Sequence, residues 1–236
     1  MTAVARAELT MLARNRVVAV CALLMPLAFA VYLVAMRDTF GGGGPVAALQ
    51  VVVMAAFGVY ITATTTLAGR RQTLFLKRLR SGALPDRAVL AGLLLPVVGV
   101  NLPQVVLVLG VVAATGSAPS QVVVVLAAVL AVEAMFLALA LATWGVTTSP
   151  EHAQVTTVPL FLLTLGAAAW TLLTGVDDLA AVKLALPGGA AAALVSEAWT
   201  SGVTAARALL LLGPTLGWAA VGLLVTRSTL RWEPRS

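Results

Sequence analysis

Few residues in this chain are equipped for chemistry, and they stand far apart. Glu133 is the only ionisable side chain deep inside any of the long apolar stretches. His152 is the lone histidine and Cys21 the lone cysteine. A nucleophilic triad, an acid pair or a metal centre needs convergent partners, and no His, Asp or Glu cluster surrounds any of the three. A single cysteine also excludes an intrachain disulfide. Neither catalytic nor metal-binding residues are therefore expected. The run Gly41–Gly44 mimics a phosphate-cradling loop, but no Gly-Lys-Ser/Thr follows it, and it reads as a flexible linker. The chain carries no P-loop sequence anywhere, so it is not expected to split ATP itself.

What remains is one dense polar interval, Arg70–Arg87. It holds Arg70, Arg71, Lys77, Arg78, Arg80 and Arg87 against one acid, Asp86. Long hydrophobic runs flank it, Val46–Ala68 before and Val89–Ala114 after. With 61% hydrophobic and 10% charged residues the chain lies outside the soluble globular range. Its apolar residues fall in runs of about 20, the length that crosses a hydrocarbon core of roughly 30 Å. The expectation is an all-α membrane protein, residues 1–236 forming a single transmembrane domain. The net charge of +6 does not point to nucleic acid, because the cations sit in short segments between spans.

Six spans are expected. Met1–Arg16 has Arg6, Thr10 and Arg14 on one face and reads as an amphipathic helix lying at the lipid interface. Val17–Ala35 is the first span; Ala28-Phe29-Ala30 resembles a cleavage site, but the apolar run continues past it, so the segment is expected to stay. The second span, Val46–Ala68, ends in a Thr-rich turn (Thr62, Thr64, Thr65, Thr66) suited to packing or to lining a pathway. The third, Val89–Ala114, contains Pro96 and Pro103 with Asn101 between them, the pattern of a bent helix beside a pathway.

Gln121–Val146 is the fourth span, with Glu133 at its centre. An acid at mid-bilayer costs about 2.5–3.5 kcal/mol to insert and so faces protein or water. It marks either a polar point on a substrate route or subunit interface, or a protonated acid bonded to a neighbouring helix. Thr147–Gln154 is read as a loop holding Glu151 and a solvated His152. The fifth span, Val155–Thr174, contains Pro159 and ends near an interfacial Trp170. Between Gly175 and Arg207 the apolar stretch Leu184–Trp199 is too short and too Gly-rich to span and reads as re-entrant or interfacial helix. Ala208–Val225 is the sixth span. With both termini inside, twelve of the fifteen cations fall on inside segments and three (Arg37, Lys183, Arg207) outside, as the bias of Lys and Arg toward cytoplasmic span ends requires.

Within the basic interval, Thr73–Ser81 has helical periodicity: Phe75, Leu76 and Leu79 share one arc and Lys77, Arg78 and Arg80 the other. Gly82 and Pro85 stop it. Thr73-Leu74, Lys77-Arg78-Leu79-Arg80, Leu84-Pro85 and Ala91-Gly92 resemble the membrane subunit of type-2 ABC exporters, which include multidrug and antibiotic efflux permeases. Leu186-Pro187-Gly188-Gly189-Ala190, before the last span, is similar to the same family, which carries short external helices there. Where many members have an acid just before the Thr-Leu pair, this chain has Arg70, Arg71 and Gln72.

The resemblance implies a permease in the cell membrane, half of a dimeric pathway, driven by a separate cytoplasmic ATPase that binds ATP and Mg while this chain binds neither. It implies that Thr73, Leu74, Phe75, Lys77, Arg78, Leu79 and Arg80 contact that ATPase and that a second copy completes the pathway. Glu133 and Asn101 are the candidate pathway residues. Rival readings are an intramembrane enzyme, a haem-exporter-like permease, and a non-transporting membrane protein that recruits a cytoplasmic partner through its basic loop.

Overall fold

The computed structural model describes residues 27–72, 86–116 and 118–229. Met1–Arg16, most of the first span and the interval 73–85 with all seven ATPase-contact candidates lie outside the described residues, as do Arg231 and Arg235. Every regular element among those described is helical. Helix α1 covers 27–35. A long rod follows, made of α2 (Gly43–Ala55), a π-helical turn (Ala56–Ile61) and α3 (Thr62–Gln72). Then come α4 (Asp86–Thr115), α5 (Val122–Val146), α6 (Pro150–Thr174), the short α7 (Ala180–Ala185) and α8 (Gly189–Thr200), and α9 (Ala205–Thr229).

Five of these helices are long and apolar enough to cross a membrane: Gly43–Gln72, Ala88–Thr115, Val122–Val146, Pro150–Thr174 and Ala205–Thr229. The α2–α3 rod is the most enclosed of them, and α4, α5, α6 and α8 pack against it. Helix α9 lies chiefly along α5, and α8 along α2. Glycine permits the closest approaches. A Cβ on Gly222 of α9 would lie 2.7 Å from the Ala138 carbonyl carbon of α5, and one on Gly44 would overlap Thr200 of α8.

The helix ends follow from local chemistry. After α5, Thr147 turns extended, and Ser149 caps α6 by accepting the His152 amide at 3.2 Å, with Pro150 in the first helical position. This corrects the expected loop Thr147–Gln154: the helix starts at Pro150, so Glu151, His152 and Gln154 belong to it. Gly175, at φ +67°, ends α6 in a conformation that favours glycine. The Gly41–Gly44 segment also differs from the linker expected. Gly43 and Gly44 begin α2, where Gly44 is buried, while Gly41 (φ +81°) and Gly42 (φ +111°) form the turn before it. The apolar stretch from Leu184 is not one helix; it breaks at Leu186–Gly188 (Gly188 at φ +91°), and α8 packs into the core.

The segments between helices gather at two ends. At one, Ser120 Oγ donates to the Thr200 carbonyl at 2.9 Å, and Gln121 exchanges two bonds with Val203, at 2.9 and 3.0 Å. Arg207 forks onto Glu197 at 2.8 and 3.1 Å, and Arg37 donates to the Thr115 carbonyl. At the other, Gly145 of α5 meets Thr229 of α9, Gly69 lies against Pro150, and the buried Arg71 guanidinium sits 5.3 Å from the Trp144 ring centre. These are called below the Trp199 end and the Trp144 end. The segments expected on one side of the membrane, 37–45, 115–120 and 175–207, all have contacts at or near the Trp199 end.

Close packing at Gly222 is testable. Gly222→Ala forces a methyl against rigid backbone and is expected to lower stability by about 1–3 kcal/mol. Gly213→Ala, on the same helix with open space around it, should leave it near wild type. Unfolding midpoints of the purified chain in detergent separate the two.

Candidate polar site at mid-depth

Three positions meet halfway along the bundle. Glu133 is the twelfth of the 25 residues of α5, and the long apolar run around it carries it into the core, where it is 3% exposed. Asn101 of α4, between Pro96 and Pro103, is 2% exposed. Its Nδ2 donates to Glu133 Oε1 at 2.5 Å. The third member is Gly58, in the π turn. A Cβ there would lie 2.7 Å from Asn101 Cγ and closer still to Oδ1, so Asn101 is seated only because position 58 has no side chain. Glu133 Oε2, also buried, has no hydrogen-bond partner among the described residues.

The elements around this point are shaped for it. Each helix proline withholds the donor that the carbonyl four residues earlier would receive, so α4 lacks such a bond at Gly92 and at Gly99, the second spanning Asn101. The π turn widens its helix, and Thr62 Oγ1 fills the gap by donating to the Phe57 carbonyl at 3.0 Å. Phe57 packs edge-on against Phe161 of α6 with ring centres 4.7 Å apart. Tyr60 shares a hydrogen bond with Thr143 at 2.9 Å. The Thr-rich turn does what packing requires: Thr64 and Thr65 both donate to their own helix, to the carbonyls of Tyr60 and Ile61 at 2.8 Å.

Of the residues singled out in the sequence, Glu133 and Asn101 are thus brought into contact. His152 stands apart, exposed in the first turn of α6, with its Nδ1 against the Thr148 hydroxyl at 2.9 Å. Gly58 was missed by sequence reasoning, and an isolated glycine inside a helical run was the available signal. Lys183 was missed as a buried cation: it donates to the Gly175 carbonyl at 2.7 Å and lies 5.3 Å from the Trp170 ring centre. No family model, no curated protein and no solved structure matches this chain.

The pair can act as a fixed polar tie between α4 and α5, or as a tie that opens. In either case Gly58→Ala displaces Asn101 and should destabilise by roughly 1–3 kcal/mol, as should Asn101→Leu, which leaves a buried acceptor unmet. The double variant should cost clearly less than the sum of the two, because both break one interaction. Unfolding free energies for the four proteins in detergent complete that cycle.

Proposed function

We propose that the chain is the membrane-spanning subunit of an ABC exporter of the type-2 class, a permease with six spans and both termini cytoplasmic. In this reading it forms half of a dimeric pathway for a hydrophobic compound such as a drug or antibiotic. A separate cytoplasmic ATPase supplies the energy, and the interval 73–80 is the contact through which the ATPase acts. The observation that carries the reading is this basic stretch between two apolar runs, with Thr73-Leu74, Lys77-Arg78-Leu79-Arg80 and Leu84-Pro85, which resemble that family.

Two features of the fold support it. The residues flanking the interval, at the end of α3 and the start of α4, belong to the Trp144 end, while the α7–α8 pair before the last long helix is tied to the Trp199 end. An exporter needs this separation, with a driven face on one side of the membrane and short closing helices on the other. Transport would follow if ATPase closure moved α3 and α4 and so favoured a second arrangement of the bundle; only contacts that differ between the two states can supply that bias.

Topology is the first check. With Cys21 replaced by Ala, Asp38→Cys is expected to react with an impermeant thiol reagent in intact cells, and Arg227→Cys only after permeabilisation.

Co-purification tests the function. An ATP-binding subunit encoded beside the gene should purify with the tagged wild-type chain and be lost from Leu79→Asp combined with Arg80→Glu. If well-folded wild type brings down no ATPase, the exporter reading fails and a recruiting role for the basic loop replaces it.

A further inference from the structure

We propose that Glu133, Asn101 and the π turn at Gly58 form a proton-binding site at mid-depth, occupied while the hydrogen bond between the two side chains is closed. This site is independent of the exporter reading. An ionised carboxylate presents about four acceptor positions, and here a single donor, Asn101 Nδ2, reaches one oxygen. The other oxygen is buried without a partner among the described residues. A buried charge left in this state is far more costly than a buried neutral acid.

Among the described residues no counter-charge is seen to relieve that cost. Along α5, the nearest charged groups of the surrounding helices with a contact to it stand at the levels of Trp144 or of Gln121. Tyr60 of the π turn meets Thr143, and Arg71 of α3 meets Trp144. Near Gln121, whose amide bonds the Ala198 carbonyl, Glu197 of α8 is already paired with Arg207 of α9. Arg70, Glu151, His152 and Arg227 lie toward the Trp144 end, Arg37 and Asp38 toward the Trp199 end, and Lys183 is held by Gly175. Asp86 and Arg87 begin α4, a half-helix from Asn101. At 1.5 Å rise per residue, eleven residues of α5 separate Glu133 from the level of Arg71, roughly 16 Å, and the nearer Tyr60, whose ring packs on Phe136, is a neutral phenol bonded to Thr143. The proton resides on Oε2, the oxygen that Asn101 does not use.

The site also has the means to release that proton. Asn101 sits on the helix segment bracketed by two prolines, against a π turn, two places where backbone bonding is already incomplete or widened. A shift of α4 withdraws Nδ2 and opens a route for water to the acid.

Infrared difference spectroscopy of the purified full-length chain in lipid nanodiscs tests this. Wild type minus Glu133→Gln is expected to show a carboxylic-acid C=O band that shifts in D2O. Asn101→Leu should keep the band but move it, since Oε1 loses its donor. Uniform 13C-labelling of glutamate in the wild-type chain reports the same band without any substitution at the site. Carboxylate stretches alone in the difference spectrum, or an acid band indifferent both to D2O and to Asn101→Leu, would overturn the proposal.

Discussion

Hydrocarbon offers no hydrogen-bond partner, and nearly every polar choice in this bundle answers to that fact. The threonines of the long helices fold their hydroxyls back on carbonyls one turn earlier: Thr157, Thr164 and Thr171 do so at intervals of seven along α6, each at 2.8 Å. Lys183, inside a short helix, is buried only because the Gly175 carbonyl and the Trp170 ring receive it. The Trp218 indole donates to the Ala185 carbonyl at 2.8 Å and ties the end of α7 to α9. Against this background of internal satisfaction, the half-met carboxyl of Glu133 is an exception, and exceptions of this kind are where membrane proteins place function.

Bringing the helices of the bundle close together creates a packing problem that glycine solves. Gly44, Gly58, Gly145 and Gly222 each stand where a methyl would overlap a neighbour. Small residues let backbones approach until dispersion holds them, which matters where lipid is as apolar as the side chains it would replace. Leucine-rich faces of α6 and α9 stay outward, as the exposure of Leu162, Leu163, Leu209, Leu216 and Leu224 shows.

Much of this was legible in the sequence, for a physical reason. Runs of about 20 apolar residues have few alternatives to crossing a bilayer, so the long helices beginning near Val46, Val89, Gln121, Val155 and Ala208 were readable, and their true ends lay a few residues beyond. Glu133 and Asn101 stood out individually because polar residues are rare in such runs. Their contact did not, since nothing local connects positions 32 apart. The π turn was invisible, because inserting one residue into a helical ladder needs no particular composition. The Gly41–Gly44 segment misled for a related reason: glycine marks both a free linker and a tight contact, and only the neighbour across the gap, α8, tells them apart.

The ends of the bundle are fastened by contacts of more than one kind. At the Trp199 end the ties are directional: a fork between Arg207 and Glu197, a reciprocal pair between Gln121 and Val203, and serine bonds from Ser120 to the end of α8. At the Trp144 end surfaces are apposed as well, Gly145 on Thr229 and Gly69 on Pro150, beside a guanidinium over an indole face and a hydrogen bond between Tyr60 and Thr143. Directional bonds break at a defined geometry, whereas apposed surfaces can slide by ångströms while staying in contact. The Trp199 tip of the bundle is therefore riveted: its segments can part only by breaking bonds of fixed geometry, not by sliding.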